Sequence, residues 1–188
     1  MPKPAELPSF ISDNDVIISS SYRKHLTDVK EASLRFFQLG LEAYPNHNQE
    51  EAMLDGGFIF LGGGQHKHSK SEIQRSFFQA IKRAKLLYVV TSNGYLGQTA
   101  SIETSYGLAT GTPTVLSESI KDFGEGVPNP VIEILESLTI PIVPIEEIPT
   151  LSKNGNINSE HLANSISLSE RQRKDLFFSI LSLMRQLR

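Results

Sequence analysis

The sequence contains no cysteine. Disulfide scaffolds, cysteine-ligated zinc sites and thiol nucleophiles are thereby excluded. Long apolar runs are missing too: no segment approaches the roughly 18 uninterrupted apolar residues of a membrane helix. Nor is there an excess of charge of one sign, with 18 Lys and Arg against 21 Asp and Glu. That balance argues against a protein whose main task is gripping nucleic-acid phosphates. The opening MPKPAELPSF has no signal-peptide pattern, so the expectation is a soluble, cytoplasmic protein with neither a membrane nor a nucleic-acid partner. What is present is a chain of 188 residues, 39% hydrophobic, long enough for one α/β domain with a buried core.

The pattern divides the chain into an irregular arm over 1–14, an α/β domain over 15–148, and a loop with a C-terminal amphipathic helix over 149–188. The run Asp15 to Ser19 is β-branched and apolar, bounded by serines, and reads as a buried strand. Tyr22 to Leu39 reads as a helix, with Leu26, Val29, Leu34, Phe37 and Leu39 on or near one face and Gly40 as its cap. Leu41 to Tyr44 and Phe58 to Leu61 read as short strands, the second entering Gly62–Gly64. Glu72 to Ala84 is helical, with Ile73, Phe77 and Ile81 at four-residue spacing. Leu86 to Val90 is apolar throughout, as a central parallel strand should be. A helix over about Thr99 to Thr110 follows, ended by Gly111, and then a strand over Pro113 to Leu116. The segment Glu118 to Glu147 is acid-rich and reads as solvated surface holding a short helix near Val131 to Ser137 and a strand at Ile140 to Val143. A loop or hairpin tip over Leu151 to Ser159 precedes a final helix over about Ser169 to Leu187. In that helix one of Phe177 and Phe178 is expected to pack on the domain and the other on a partner subunit or neighbouring loop.

Strands alternating with helices predict an α/β fold with a mostly parallel sheet covered on both faces. In such sheets ligands sit at the carboxyl ends of the strands where the order reverses. Two loops meet that description, Ser19 to Arg23 and Asn93 to Thr99. In the first, Ser19, Ser20 and Ser21 offer hydroxyls and free backbone N–H groups at a helix start, with Arg23 and Lys24 close by, a setting suited to a phosphate or ribose. The competing reading is helix capping by Ser20 or Ser21. In the second, Gly94 and Gly97 allow positive φ or close backbone approach to a ligand. Tyr95 offers a stacking face, and Asn93 a donor and an acceptor. Glu103 follows with Thr99 four residues before it and Gly107 four after, so it has no ion-pair partner at helical spacing. Placed in the first turn or so, it would be kept ionised by the helix dipole and available as a nucleophile.

The segments Ser21-Tyr22-Arg23, Ala84 to Val90, Asn93 to Ala109 and Gly111-Thr112-Pro113 together resemble the nucleoside 2-deoxyribosyltransferase-like family, over roughly Asp15 to Leu116. The family includes base-exchanging transferases and hydrolases that cleave nucleoside 5′-monophosphates. The resemblance implies a Rossmann-like (flavodoxin-like) parallel sheet with helices on both faces, here with an added C-terminal helix, in a homodimer or larger assembly. It implies a small nucleoside or nucleotide substrate and no metal or redox cofactor. Glu103 matches the family's catalytic glutamate, and Ser21 and Arg23 match the loop that meets the 5′-phosphate. Ser19, Ser20, Tyr22, Asn93, Gly94, Tyr95 and Gly97 complete the expected substrate-binding set. The implied mechanism is a double displacement through a glycosyl-enzyme ester.

The chain departs from the family pattern at three positions. Ile17 stands where a tyrosine is common, Phe77 where an aspartate is common, and Gly97 where transferases carry another aspartate. The leaving base would then take its proton from Glu72, Asp55, His66 or His68, or leave unassisted. Two other functions fit the same pattern: a non-catalytic nucleotide-binding or sensing protein, and a glycohydrolase acting on a larger nucleotide such as NAD. His66 and His68, with His47 upstream, invite a metal, but no carboxylate recurs at ligand spacing and the segment reads as a solvated loop. Gly62–Gly64 lacks dinucleotide-binding spacing and reads as a turn or lid hinge.

Overall fold

The computed structural model describes residues 11, 14–48, 54–55, 58–59, 68–158, 162 and 168–187. The first unit is β1 (Val16–Ser20) and α1 (Tyr22–Gln38). Leu39 caps α1, and Gly40 follows at φ 76°, a left-handed turn that glycine makes without a Cβ penalty. The short β2 (Ala43–Tyr44) comes next, then an antiparallel pair, β3 (Leu54–Asp55) and β4 (Phe58–Ile59). The remainder of the strand expected to reach Leu61, the Gly62–Gly64 turn and His66 lie outside the described residues. Helix α2 (Lys70–Arg83) starts on a capping box in which Ser69 and Glu72 satisfy each other's backbone N–H, which explains its start two residues earlier than the apolar spacing indicates.

From there β5 (Leu86–Val90) runs into a 3₁₀ turn at Ser92–Gly94, β6 (Tyr95–Leu96) and α3 (Gln98–Thr110), which Gly111 ends at φ 77°. Next come β7 (Thr114–Leu116), β8 (Asp122–Phe123), α4 (Asn129–Glu136) and a 3₁₀ segment over Ile145–Leu151. The hairpin of β9 (Ser152–Lys153) and β10 (Asn156–Ile157) and the helix α5 (Glu170–Gln186) complete the chain. The strand expected at Ile140 to Val143 is reduced to one parallel bridge, Ile142 to Leu116. Pro141 and Pro144 carry no N–H for a longer ladder.

The central sheet has the order β2-β1-β5-β7, every pair parallel, and helices cover both of its faces. This is the Rossmann-like architecture expected from the alternation of strands and helices. Because side chains alternate along a strand, Ile17, Leu87 and Val89 join a core cluster with α2, α3, α4 and α5. Val16, Ile18, Leu86, Tyr88 and Val90 join another with α1 and the 3₁₀ segment. The chain leaves β1 toward β2 on one side and returns to β5 on the other. The switch in strand order therefore lies between β1 and β5, with Ser19 and Ser20 paired to Val89 and Val90 at its carboxyl end.

Helix α1 turns a different face inward than its apolar residues indicate. The buried side of α1 is His25, Val29, Ala32, Ser33 and Phe36, a regular i, i+4, i+7 row. Leu34 and Phe37 stay exposed, at 40% and 59%, and Phe37 stacks on His47. In α5 the apolar row faces inward as an amphipathic helix should, with Leu176 and Leu183 buried and Ile180, Met184 and Leu187 packed beside them, while Phe177 and Phe178 are 57% and 66% exposed. Neither phenylalanine is buried against the domain. The seven carboxylates between Glu118 and Glu147 are all exposed, as expected of a solvated surface. Among the described residues no helix is long and apolar enough to cross a membrane.

Candidate functional site

Ser19 and Ser20 point to opposite faces of the sheet, and that alternation builds two different environments from one serine run. Ser19, on the α3 side, donates its hydroxyl to Glu103 Oε2 at 2.6 Å. The other carboxylate oxygen, Oε1, accepts from Gln74 Nε2 of α2, also at 2.6 Å. Glu103 is 3% exposed and Ser19 and Gln74 are equally enclosed. Short bonds to a charged acceptor are worth about 1.5–3 kcal/mol each in such surroundings. They do not outweigh the loss of water: burial pushes the Glu103 carboxyl up to about 7, against the lowering from Gln74 and Ser19. The expectation of a dipole-ionised group in the first helical turn is corrected on both counts. The N-cap of α3 is Gly97, so Glu103 sits six residues beyond it, where the dipole has faded and burial dominates.

The other serines are also engaged within the protein. Ser20 donates to the Val90 carbonyl at 3.1 Å and lies 3.4 Å from His25 Nδ1. Ser21 occupies the N-cap of α1 but makes no capping bond; its hydroxyl accepts from the Gly97 N–H at 2.8 Å. Neither the open hydroxyl cradle nor simple capping describes this triplet: its side chains fasten β1 to α3 and β5. Tyr22 donates to the Ile18 carbonyl, and burial, followed by the charge of Glu103, pushes its phenol well above the usual range. Arg23 stays exposed and makes no hydrogen bond or ion pair among the described residues.

The loop after β5 is shaped mainly by its own neighbours. Asn93 is exposed with φ 59°, its backbone N–H donating to Glu118 Oε1 at 3.3 Å. Gly94, at φ 75°, has no room for a Cβ because Lys121 and the Ser119 carbonyl lie within 3 Å of that position. A Cβ on Gly97 would sit 2.7 Å from the Ser21 hydroxyl. The close approaches allowed by these glycines are thus made by protein atoms. Lys24 Nζ lies 3.3 Å over the centre of the Tyr95 ring, a cation–π contact, and His25 meets the same ring edge-on at 5.9 Å. One face of Tyr95, expected to stack on a base or sugar, is therefore covered by Lys24.

No family model matches the chain. No curated protein and no solved structure matches it either.

Two residues at the strand ends were not signalled as site residues by the loop motifs. Gln74 lies on the α2 stripe that also carries Phe77 and Ile81, and it is 3% exposed. A polar residue on an apolar helical stripe is the signal that singles it out. Asp28 of α1 accepts a hydrogen bond from the Ser92 hydroxyl, joining α1 to the turn after β5. Of the candidate proton donors, Glu72 is exposed and held in the α2 capping box, where its bonds to Ser69 lower its pKa. Nothing is described of the side chain of Asp55 or of His66. Among the described residues no group of three or more His, Cys, Asp or Glu is arranged to hold a metal ion.

Proposed function

We propose that the chain cleaves the N-glycosidic bond of a nucleoside or nucleoside 5′-monophosphate, with Glu103 as the nucleophile. The observation that carries this reading is a buried carboxylate at the switch point of the sheet, held on both oxygens by Ser19 and Gln74. Each donor occupies one lone pair of its oxygen and leaves another. In the first step a Glu103 oxygen bonds to the anomeric carbon as the carbon–nitrogen bond breaks. The electron pair leaves on the base nitrogen, which takes up a proton. In the second step water attacks the same carbon, the ester bond breaks back to the Glu103 carboxylate, and the water gives up one proton. A second base in place of water would give base exchange. Arg23, exposed at the start of α1 and unpartnered among the described residues, is assigned to a 5′-phosphate.

The test is release of free base, followed by chromatography, from nucleosides, their 5′-monophosphates and NAD. Wild-type protein should release base from one class and Glu103→Gln should release none. Equal rates in both proteins would remove Glu103 from the reaction.

A second reading, a non-catalytic nucleotide-binding protein of the same fold, is favoured by one feature of the same side chain. Glu103 is only 3% exposed, with both oxygens already bonded, as in a polar strut between β1, α2 and α3. Tight binding of a nucleotide by wild-type protein without release of base would select this reading.

A further inference from the structure

The partners of Glu103 share a property that neither an ion pair nor an apolar pocket would provide. A serine hydroxyl donates one hydrogen bond and accepts two, and it changes role by rotating. A glutamine amide presents a donor and an acceptor at equal reach and exchanges them by a half-turn of its terminal torsion. A lysine or arginine in either place could only donate, which would hold the carboxyl ionised. An aspartate would compel a shared proton.

We propose that Ser19 and Gln74 form a reversible cage that holds the Glu103 carboxyl in its ionised and in its neutral state, with Gln74 as the positioning residue. With the carboxylate, the Ser19 hydroxyl and the Gln74 NH₂ both donate, at 2.6 Å each. With the neutral carboxyl, one of them turns and accepts the carboxyl O–H while the other still donates to the remaining oxygen, so both carboxyl oxygens keep a partner. The described surroundings add no fixed charge. Among the described residues no cation forms an ion pair with Glu103. Among the described residues the groups facing it are Ser19 from β1, Gln74 from α2 and Tyr22 from α1, whose phenol feels the Glu103 charge. Tyr22 is itself occupied with the Ile18 carbonyl and stays protonated, because burial holds its pKa high. In the glycosidase reading the carboxyl passes from anion to neutral ester and back in each turnover. The use of the cage in catalysis rests on that reading, and the cage itself does not.

The experiment is a carboxyl ¹³C titration of the full chain carrying labelled glutamate, with the Glu103 signal assigned by its absence in Glu103→Gln. The amide spectrum is followed in the same samples. In wild-type protein Glu103 should titrate near neutrality while the amide spectrum remains that of the folded state. Gln74→Leu removes a donor from the ionised form, so it should move the midpoint upward by about one pH unit. Ser19→Ala should move it in the same direction, and it decides the matter if Gln74→Leu does not fold. Loss of the folded spectrum together with Glu103 protonation, or a midpoint unmoved in the folded variants, overturns the cage. Base release measured alongside separates the two proposals. The expected titrations with no release overturn the glycosidase reading and leave the cage standing, whereas release with unmoved midpoints overturns the cage alone.

Discussion

The Gly97 N–H donates to the Ser21 hydroxyl at 2.8 Å, which ties the loop after β1 to the N-cap of α3. Ser19 lies two residues before one end of this tie and Glu103 six residues beyond the other. The bond thereby fixes the separation at which Ser19 meets the carboxylate. It also requires a glycine, because a Cβ at position 97 would stand 2.7 Å from the Ser21 oxygen. The Gly97 backbone, at φ −77°, is otherwise open to any residue, so the constraint is contact and not conformation.

Gly97→Ala is therefore expected to lower stability by about 1–2 kcal/mol in urea unfolding, through displacement of the Ser21 hydroxyl. In a Ser21→Ala background the obstructing oxygen is gone, and the same substitution should cost only the ordinary N-cap preference for Gly over Ala, about 0.5 kcal/mol. The check is a double-mutant cycle. Additive losses would show that the Cβ meets some other obstacle.

Gly124→Ala should cost more, about 1–3 kcal/mol. Its Cβ would lie 2.4 Å from the Tyr95 hydroxyl oxygen, 2.9 Å from Tyr95 Cζ and 3.0 Å from the Gly97 backbone. The ring must move, and with it the Lys24 contact above it. Tyr95→Phe removes the closest of the three atoms and leaves the other two, so partial recovery of the melting temperature is expected. Full recovery would leave the ring carbon and the backbone without a role in the clash.

Arg23→Ala tests the phosphate assignment. The side chain is exposed and unpartnered among the described residues, so stability should change by no more than about 0.5 kcal/mol. Losing one charge-assisted contact should weaken a nucleoside 5′-monophosphate about tenfold, read as KM or Kd, while the plain nucleoside is unaffected. Equal weakening of both ligands would detach Arg23 from the phosphate.

The sheet was legible in the sequence because a parallel strand buried on both faces is apolar without interruption, and Val16 to Ile18 and Leu86 to Val90 are such runs. The carboxyl ends of those strands followed at once, and Glu103 with them. The inward face of α1 was not legible, nor was the exposure of both phenylalanines of α5. Leu34, Phe37, Phe177 and Phe178 are as apolar as residues that do reach the core, and only the packed neighbours decide which row turns inward. The roles of the serines were hidden for a related reason. Local spacing shows that Ser21 precedes a helix, but its partner Gly97 lies 76 positions away. Gln74 and the state of Glu103 required the same long-range information, since the burial that raises the carboxyl comes from neighbours on other elements.

That raised carboxyl makes stability depend on pH in a calculable direction. The folded value for Glu103 is about 7, against 4.5 for the ordinary group. Between those values the folded state binds the proton more tightly than the unfolded chain. The stability linked to this proton is complete below about pH 4.5, declines as the pH rises and is lost above about pH 7. A gap of two to three pH units corresponds to about 3 kcal/mol. Glu103→Gln abolishes the titration and retains a carbonyl oxygen for Gln74 and an amide that can donate to the Ser19 oxygen. Wild type should accordingly lose about 3 kcal/mol relative to this variant between pH 4.5 and pH 8, and the variant should be the more stable protein at the upper end. Urea unfolding of both proteins at several pH values measures the difference, in which the titrations of all other groups cancel. A difference that stays constant with pH would mean that Glu103 ionises in the folded protein as readily as in the unfolded chain.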